Sequence, residues 1–148
     1  MASSHVQIKC ERWIVDTWLP KECGLNFSKQ KLKMQGKGLF EFDAVSQDKK
    51  IVSNISTAPS CTHTGAIASG KKSKLRADCL MLALVNAGRK LMVLTEKSMH
   101  DFAIKEQQEG RLPLDIEICH AKLPELLRNE LSNAQNVASL EVRGTRPR

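Results

Sequence analysis

The chain has 148 residues, 41% hydrophobic and 26% charged, which is enough for one domain with its own core. Lys and Arg number 23 against 16 Asp and Glu, and the net charge of +7 favours polyanionic partners such as nucleic acid. No run reaches the roughly 18 apolar residues of a membrane helix, and MASSHVQIKCER lacks the charged-then-apolar order of a signal peptide. A cytoplasmic protein with no membrane contact is expected.

Ser3 or Ser4 can cap a first helix, with Pro20 just beyond its end. At about 100° per residue, Ile8, Ile14, Val15, Trp18 and Leu19 share one face. Glu11 falls near the middle of that face. A carboxylate there is costly unless it is paired, metal-bound or able to reach water from the helix edge, so Glu11 is a candidate site residue. Residues 21 to 30 read as a connector and 32 to 34 as a short strand. In 39 to 46, Phe40, Phe42 and Ala44 alternate with Glu41 and Asp43, the period of a strand. Residues 47 to 50 make a turn, and the β-branched run 51 to 57 completes a hairpin.

A loop of small residues, 58 to 72, leads into a helix over 73 to 87. That helix is almost wholly apolar after its first turn and is expected to be central, with Gly88 as its cap. A buried strand (91 to 95), a helix (98 to 109), a strand (114 to 120) and a last helix opened by Pro124 follow. This order predicts an α/β fold, a mixed β-sheet flanked by helices, over residues 1 to 136. Residues 137 to 148 are expected to be a basic, flexible tail.

The five cysteines form no CxxC pair, so no zinc ribbon or thioredoxin-type motif is present. Cys61 with His63, and Cys119 with His120, each offer two metal ligands, although buried free cysteines are the commoner arrangement. Gly65 to Gly70–Lys71 fits the start of a P-loop, but Lys72 stands where the Mg²⁺-binding hydroxyl belongs and Ser73 comes one place late. Lys71, Lys72, Lys74 and Arg76 remain as candidate nucleic-acid-binding residues at a helix N-terminus. Cations there oppose the helix dipole, and a bound phosphate would relieve that cost. Lys71, Lys74 and Asp78 share one face of the helix.

The hairpin carries a second constellation. Asp43 lies on one strand, with Asn54 and Ser56 at i and i+2 on the next. An acid, then an acid and a lysine at i and i+2, is how a Mg²⁺-dependent nuclease is built: carboxylates hold the metal and the lysine neutralises developing charge.

On these residues the chain resembles the restriction-endonuclease-like, or PD-(D/E)XK, nuclease superfamily, over about residues 4 to 96. The resemblance implies an α-β-β-(β)-α-β core, a Mg²⁺ or Mn²⁺ cofactor and nucleic acid as substrate. It also implies copies that pair as a homo-oligomer. Asp43 would be the first strand acid and Glu11 the acid from the first helix. Asn54 and Ser56 depart from the pattern, standing where the second acid and the lysine belong. Asn54 offers an oxygen without charge, and Ser56 cannot replace a cation. Some members carry the lysine on the following helix, a role open to Lys74 or Lys71, while Asp78 or Glu41 would replace the lost carboxylate. The expectation is a metal-dependent endonuclease with Asp43, Glu11 and Asn54 as ligands and Lys74 as catalytic cation. The alternatives are a catalytically inactive nuclease-like module that binds nucleic acid or protein, and a plain α/β interaction domain.

Overall fold

The structure, a computed structural model, describes the backbone of residues 2 to 61 and 68 to 145, and side chains over 5 to 61 and 68 to 136. Its sheet follows chain order: β1 (Phe27–Lys33), β2 (Leu39–Ser46), β3 (Ile51–Ser56), β4 (Arg89–Leu94) and β5 (Ile116–His120). β1, β2 and β3 run antiparallel, while β3, β4 and β5 run parallel. The two parallel connections are α3 (Ser69–Leu84) and α4 (Lys97–Gln108). Right-handed crossovers that step in one direction place both helices on the same face.

That face buries Phe42, Val45, Val52, Met92 and Leu94 beneath Leu75, Cys79 and Leu82 of α3 and Met99 and Ala103 of α4. On the opposite face Ile14 and Leu19 cover Phe27, Ala44, Ile51, Ile55, Leu91 and Val93. α5 (Glu125–Thr145) packs on the first helix through Cys10, Leu123 and Leu131, with a Lys9–Glu130 ion pair of 3.0 Å. The α/β mixed sheet flanked by helices is the fold the sequence predicts. Among the described residues no helix is long and apolar enough to cross a membrane.

The N-terminal helix differs from its sequence reading. It begins at Ala2, taking in Ser3 and Ser4, and does not stop at Pro20. α1 (Ala2–Trp13) passes into a π-helical turn, Ile14–Trp18, and on into α2 (Leu19–Cys23). The Leu19 N–H donates to the Ile14 carbonyl, an i→i−5 bond. Pro20, which has no N–H to donate, follows directly after this widened turn. Gly24 then ends the helix at φ 72°, donating to the Pro20 carbonyl at 2.8 Å. The extra residue rephases the buried stripe to Cys10, Ile14 and Leu19, and leaves Ile8 55% exposed.

Three further expectations are corrected. The region read as connector and short strand holds β1, a full edge strand with Lys29, Lys31 and Lys33 exposed. α3 is not central. It starts four residues earlier, covers one face only, and leaves Leu80 and Leu84 exposed. It ends at an extended Val85 rather than at Gly88. Leu114 precedes β5 and is exposed. α5 runs on over residues 137 to 145.

The rephased stripe makes a direct prediction for thermal or denaturant unfolding. Leu19→Ala should cost about 2–5 kcal/mol, while Ile8→Ala should stay within about 0.5 kcal/mol.

Candidate functional site

The β2–β3 hairpin sets the site. Its turn is tied by side chains: the Ser46 hydroxyl donates to Asp48 at 2.6 Å and accepts the Ile51 N–H at 3.0 Å. The Ser46 hydrogen bond and the Lys50 N–H hold the Asp48 carboxyl below the usual carboxylate range. These bonds fix the register in which Ala44 faces Ser53 and Val45 faces Val52.

Beyond those pairs the strands part. Ser28 of β1 faces Val45, yet Gln30 faces Phe42, so β2 spends an extra residue at Asp43–Ala44. A bulge of this kind bends a strand and re-aims its side chains. Where the ladder fails, side chains replace it. The Asp43 N–H donates to Asn54 Oδ1 at 3.3 Å, and the Ile55 N–H donates to Asp43 Oδ2 at 2.8 Å. The Asn54 amide also donates to the Asp78 carbonyl of α3 at 3.2 Å.

Around this split the charged groups gather. Lys74 Nζ lies 3.0 Å from Asp78 Oδ2, and the Asp78 side chain is only 13% exposed. Burial raises the Glu11 pKa above the ordinary value, and Asp43 repulsion adds to it. Lys29 and Lys74 pull it back, and Asp78 pushes it up again. Asp78 is raised in the same way, by burial first and by Asp43, against the hydrogen bond and charge of Lys74. Burial works against the Lys74 ammonium, but Asp78, Asp43 and Glu11 together lift its pKa above the usual lysine value. Electrostatic influence thus runs among Glu11, Asp43, Asp78, Lys74 and Lys29, with Lys74–Asp78 the ion pair among them in the described residues. Lys29 escapes the sequence reading. Its only signal is the alternation of Lys29, Lys31 and Lys33.

Other candidates lie differently. Ser56 is engaged locally, its hydroxyl accepting the Ala58 N–H at 3.3 Å. Lys71 is exposed and makes no ion pair among the described residues. Lys72 and Arg76 face α4 instead, over the Phe102 ring at 4.5 and 5.4 Å. Arg76 also joins Arg111 in pairing the buried Glu106, at 3.3 and 2.8 Å. Their role is to dock α3 on α4. His63 and Gly65 to Ile67, part of the loop weighed as a metal or phosphate site, lie outside the described residues. Among the described residues no three His, Cys, Asp or Glu side chains are gathered as a ready metal cluster.

Donor chemistry shows what the split can still accept. Asp43 Oδ1 and both Glu11 oxygens receive no hydrogen bond among the described residues, although each group is half-buried. Mg²⁺ is commonly held by one or two carboxylates, with water and substrate phosphate completing its octahedron. By donor type, Asp43 and Glu11 match that partial set. Asn54 does not add a free ligand, because its oxygen is taken by the Asp43 N–H and its amide by Asp78.

Like charges held half-buried cost stability, and the pH dependence has a definite sign. Folding raises the Glu11 pKa, so the cost is absent below the unfolded-state value and develops as pH rises through the folded one. Glu11→Gln should therefore melt higher than wild type at neutral pH, with the gap closing on acidification. Asp43→Ala should instead lose about 1–3 kcal/mol, because it strands the Ile55 N–H. Melting curves across pH check both. Compared with known proteins, the chain matches no family model, no curated protein and no solved structure.

Proposed function

We propose that this chain is a nuclease-like nucleic-acid protein whose β2–β3 split handles a phosphodiester with a divalent cation. The observation that carries the proposal is the Lys74–Asp78 ion pair beside the Asp43–Asn54–Ile55 break in the ladder, with Glu11 within electrostatic reach of it. Glu11, Asp43 and the Lys74–Asp78 pair come from the first helix, β2 and α3, and are distant in sequence. The α-β-β-β-α-β succession up to β4 supports the resemblance to restriction-endonuclease-like nucleases.

Asp43 and Glu11 would hold the cation, which when bound polarises a phosphate and supplies hydroxide at neutral pH. Lys74, kept charged by Asp78, would face the phosphate oxygens as charge builds on them. Lys71 and Lys29 would draw the strand to the split by long-range attraction. Asn54 is a positioning residue. It ties β2 to β3 and β3 to α3, keeping Asp43 and Asp78 in register.

The inactive alternative has an observation of its own, since Asn54 spends its side chain on the fold where an acid would serve a metal. Incubation with DNA and RNA in Mn²⁺ or Mg²⁺ separates the two. The nuclease reading expects metal-dependent cleavage that falls at least about 100-fold in Asp43→Asn or Lys74→Met. Asp43→Asn keeps the oxygen that the Ile55 N–H needs, so its loss of activity would not be a loss of fold. Binding without cleavage, with a log–log salt slope reduced by about one unit in Lys71→Ala, would favour the silent module. Neither cleavage nor salt-dependent binding would overturn both readings.

A further inference from the structure

A concavity lies at the other side of the sheet, where β4 and β5 end together. β4 continues through Thr95 and Glu96 into α4 on one face. β5 continues through Ala121 and Leu123 into α5, which packs against α1 on the other. Two parallel strands whose chains leave in opposite directions open a crevice beyond their carboxyl ends, the usual place for a ligand in an α/β sheet. Here that crevice is a cleft of about 440 Å³, within the range of small-molecule sites.

Its lining is basic. Lys122 and Arg128 reach it from the segment after β5 and from α5, and neither has a carboxylate within ion-pair distance among the described residues. Lys97, at the rim, is already taken by Asp101 at 3.1 Å. The start of α4 lines the same cleft. Its N-cap residue, Glu96, gives no side-chain cap, and the amides of residues 97 to 99 donate to no group among the described residues. The Ser98 hydroxyl, also in the cleft, accepts the Ser60 N–H at 3.1 Å. Leu123 supplies an apolar wall, and His120 is pinned with Nε2 3.2 Å from the Thr95 carbonyl.

We propose that this cleft binds the phosphate group of a small phosphorylated molecule. Lys122 and Arg128 would hold the anion from one side, and the open amides of α4 from the other. Two cations with no carboxylate at ion-pair distance among the described residues, lining the same cavity as the uncapped start of α4, form a phosphate cradle by charge and by donor chemistry together. An Arg in such a cradle can meet two phosphate oxygens at once. Glu96 borders the cleft and opposes a second negative group beside the first. One phosphate is therefore the favoured load. The site does not depend on the β2–β3 split and stands whether or not that split cleaves nucleic acid.

The test titrates inorganic phosphate and a nucleoside 5′-monophosphate into the full chain, read by calorimetry and by backbone amide NMR shifts. Wild type should bind both, more tightly when the phosphate carries an organic group to lie on Leu123. Shifts should centre on residues 97 to 99. Lys122→Gln with Arg128→Gln, both exposed, should weaken binding at least about tenfold and leave the fold intact. Lys71→Gln, at the other site, should leave affinity unchanged. Absence of binding up to about 10 mM, equal binding by all variants, or loss in Lys71→Gln alone would each overturn the proposal.

Discussion

The hydrogen bond from the Ile55 amide to the Asp43 carboxylate, with its counterpart from the Asp43 amide to Asn54, is the contact on which the rest of the site depends. A sheet whose ladder stops leaves polar backbone groups to be satisfied, and here two side chains do it. They hold β2 and β3 together while keeping them apart. Asp78 of α3 and Glu11 of α1 both feel the Asp43 charge held there. Asn54 passes the constraint on to α3 through the Asp78 carbonyl. One pair of residues thus sets both the local fold and the placement of every charge around it.

That placement runs against stability. Burial, with repulsion from Asp43, raises Glu11 and Asp78 above their ordinary values. A cluster arranged only for stability would resemble the other side of α3, where Arg111 and Arg76 bracket Glu106 and hold its carboxyl below the usual range. The contrast between these two ion clusters, one on each side of α3, is what makes the first a candidate site. Lys74 belongs to it, whereas Arg76, two residues on, belongs to the packing of α3 on α4.

Much of the fold was legible because the hairpin alternates apolar and polar residues with period two and because α4 and α5 carry their own start signals. The edge strand β1 was not, since Lys29, Lys31 and Lys33 alternate with Ser28 and Gln30, leaving Leu32 as the one apolar residue in its middle. Lysines on an edge guard against pairing with other chains, and they also hide the strand. The helix face was misjudged because the wheel assumes a uniform step, and the π-helical turn at Ile14–Trp18 adds a residue. Asp43 and Asn54 could be named as candidates because spacing within a hairpin is local, Glu11 because it falls on the apolar side of a helix, and Lys74 because it lies in the first turns of the next helix. The cleft beyond β4 and β5 could not, because residues 95 to 98, 120 to 123 and 128 meet only after the sheet has formed.

Whether the split is one coupled site can be measured on the carboxyl group of Glu11 itself. A ¹³C NMR titration of that side chain should give a midpoint above the ordinary glutamate value, falling in Asp43→Asn as the repulsion is removed. In Lys74→Met the midpoint should rise, since a stabilising cation is lost. An ordinary midpoint, unmoved by either substitution, would mean that Glu11 meets water at the helix edge and that no common site exists.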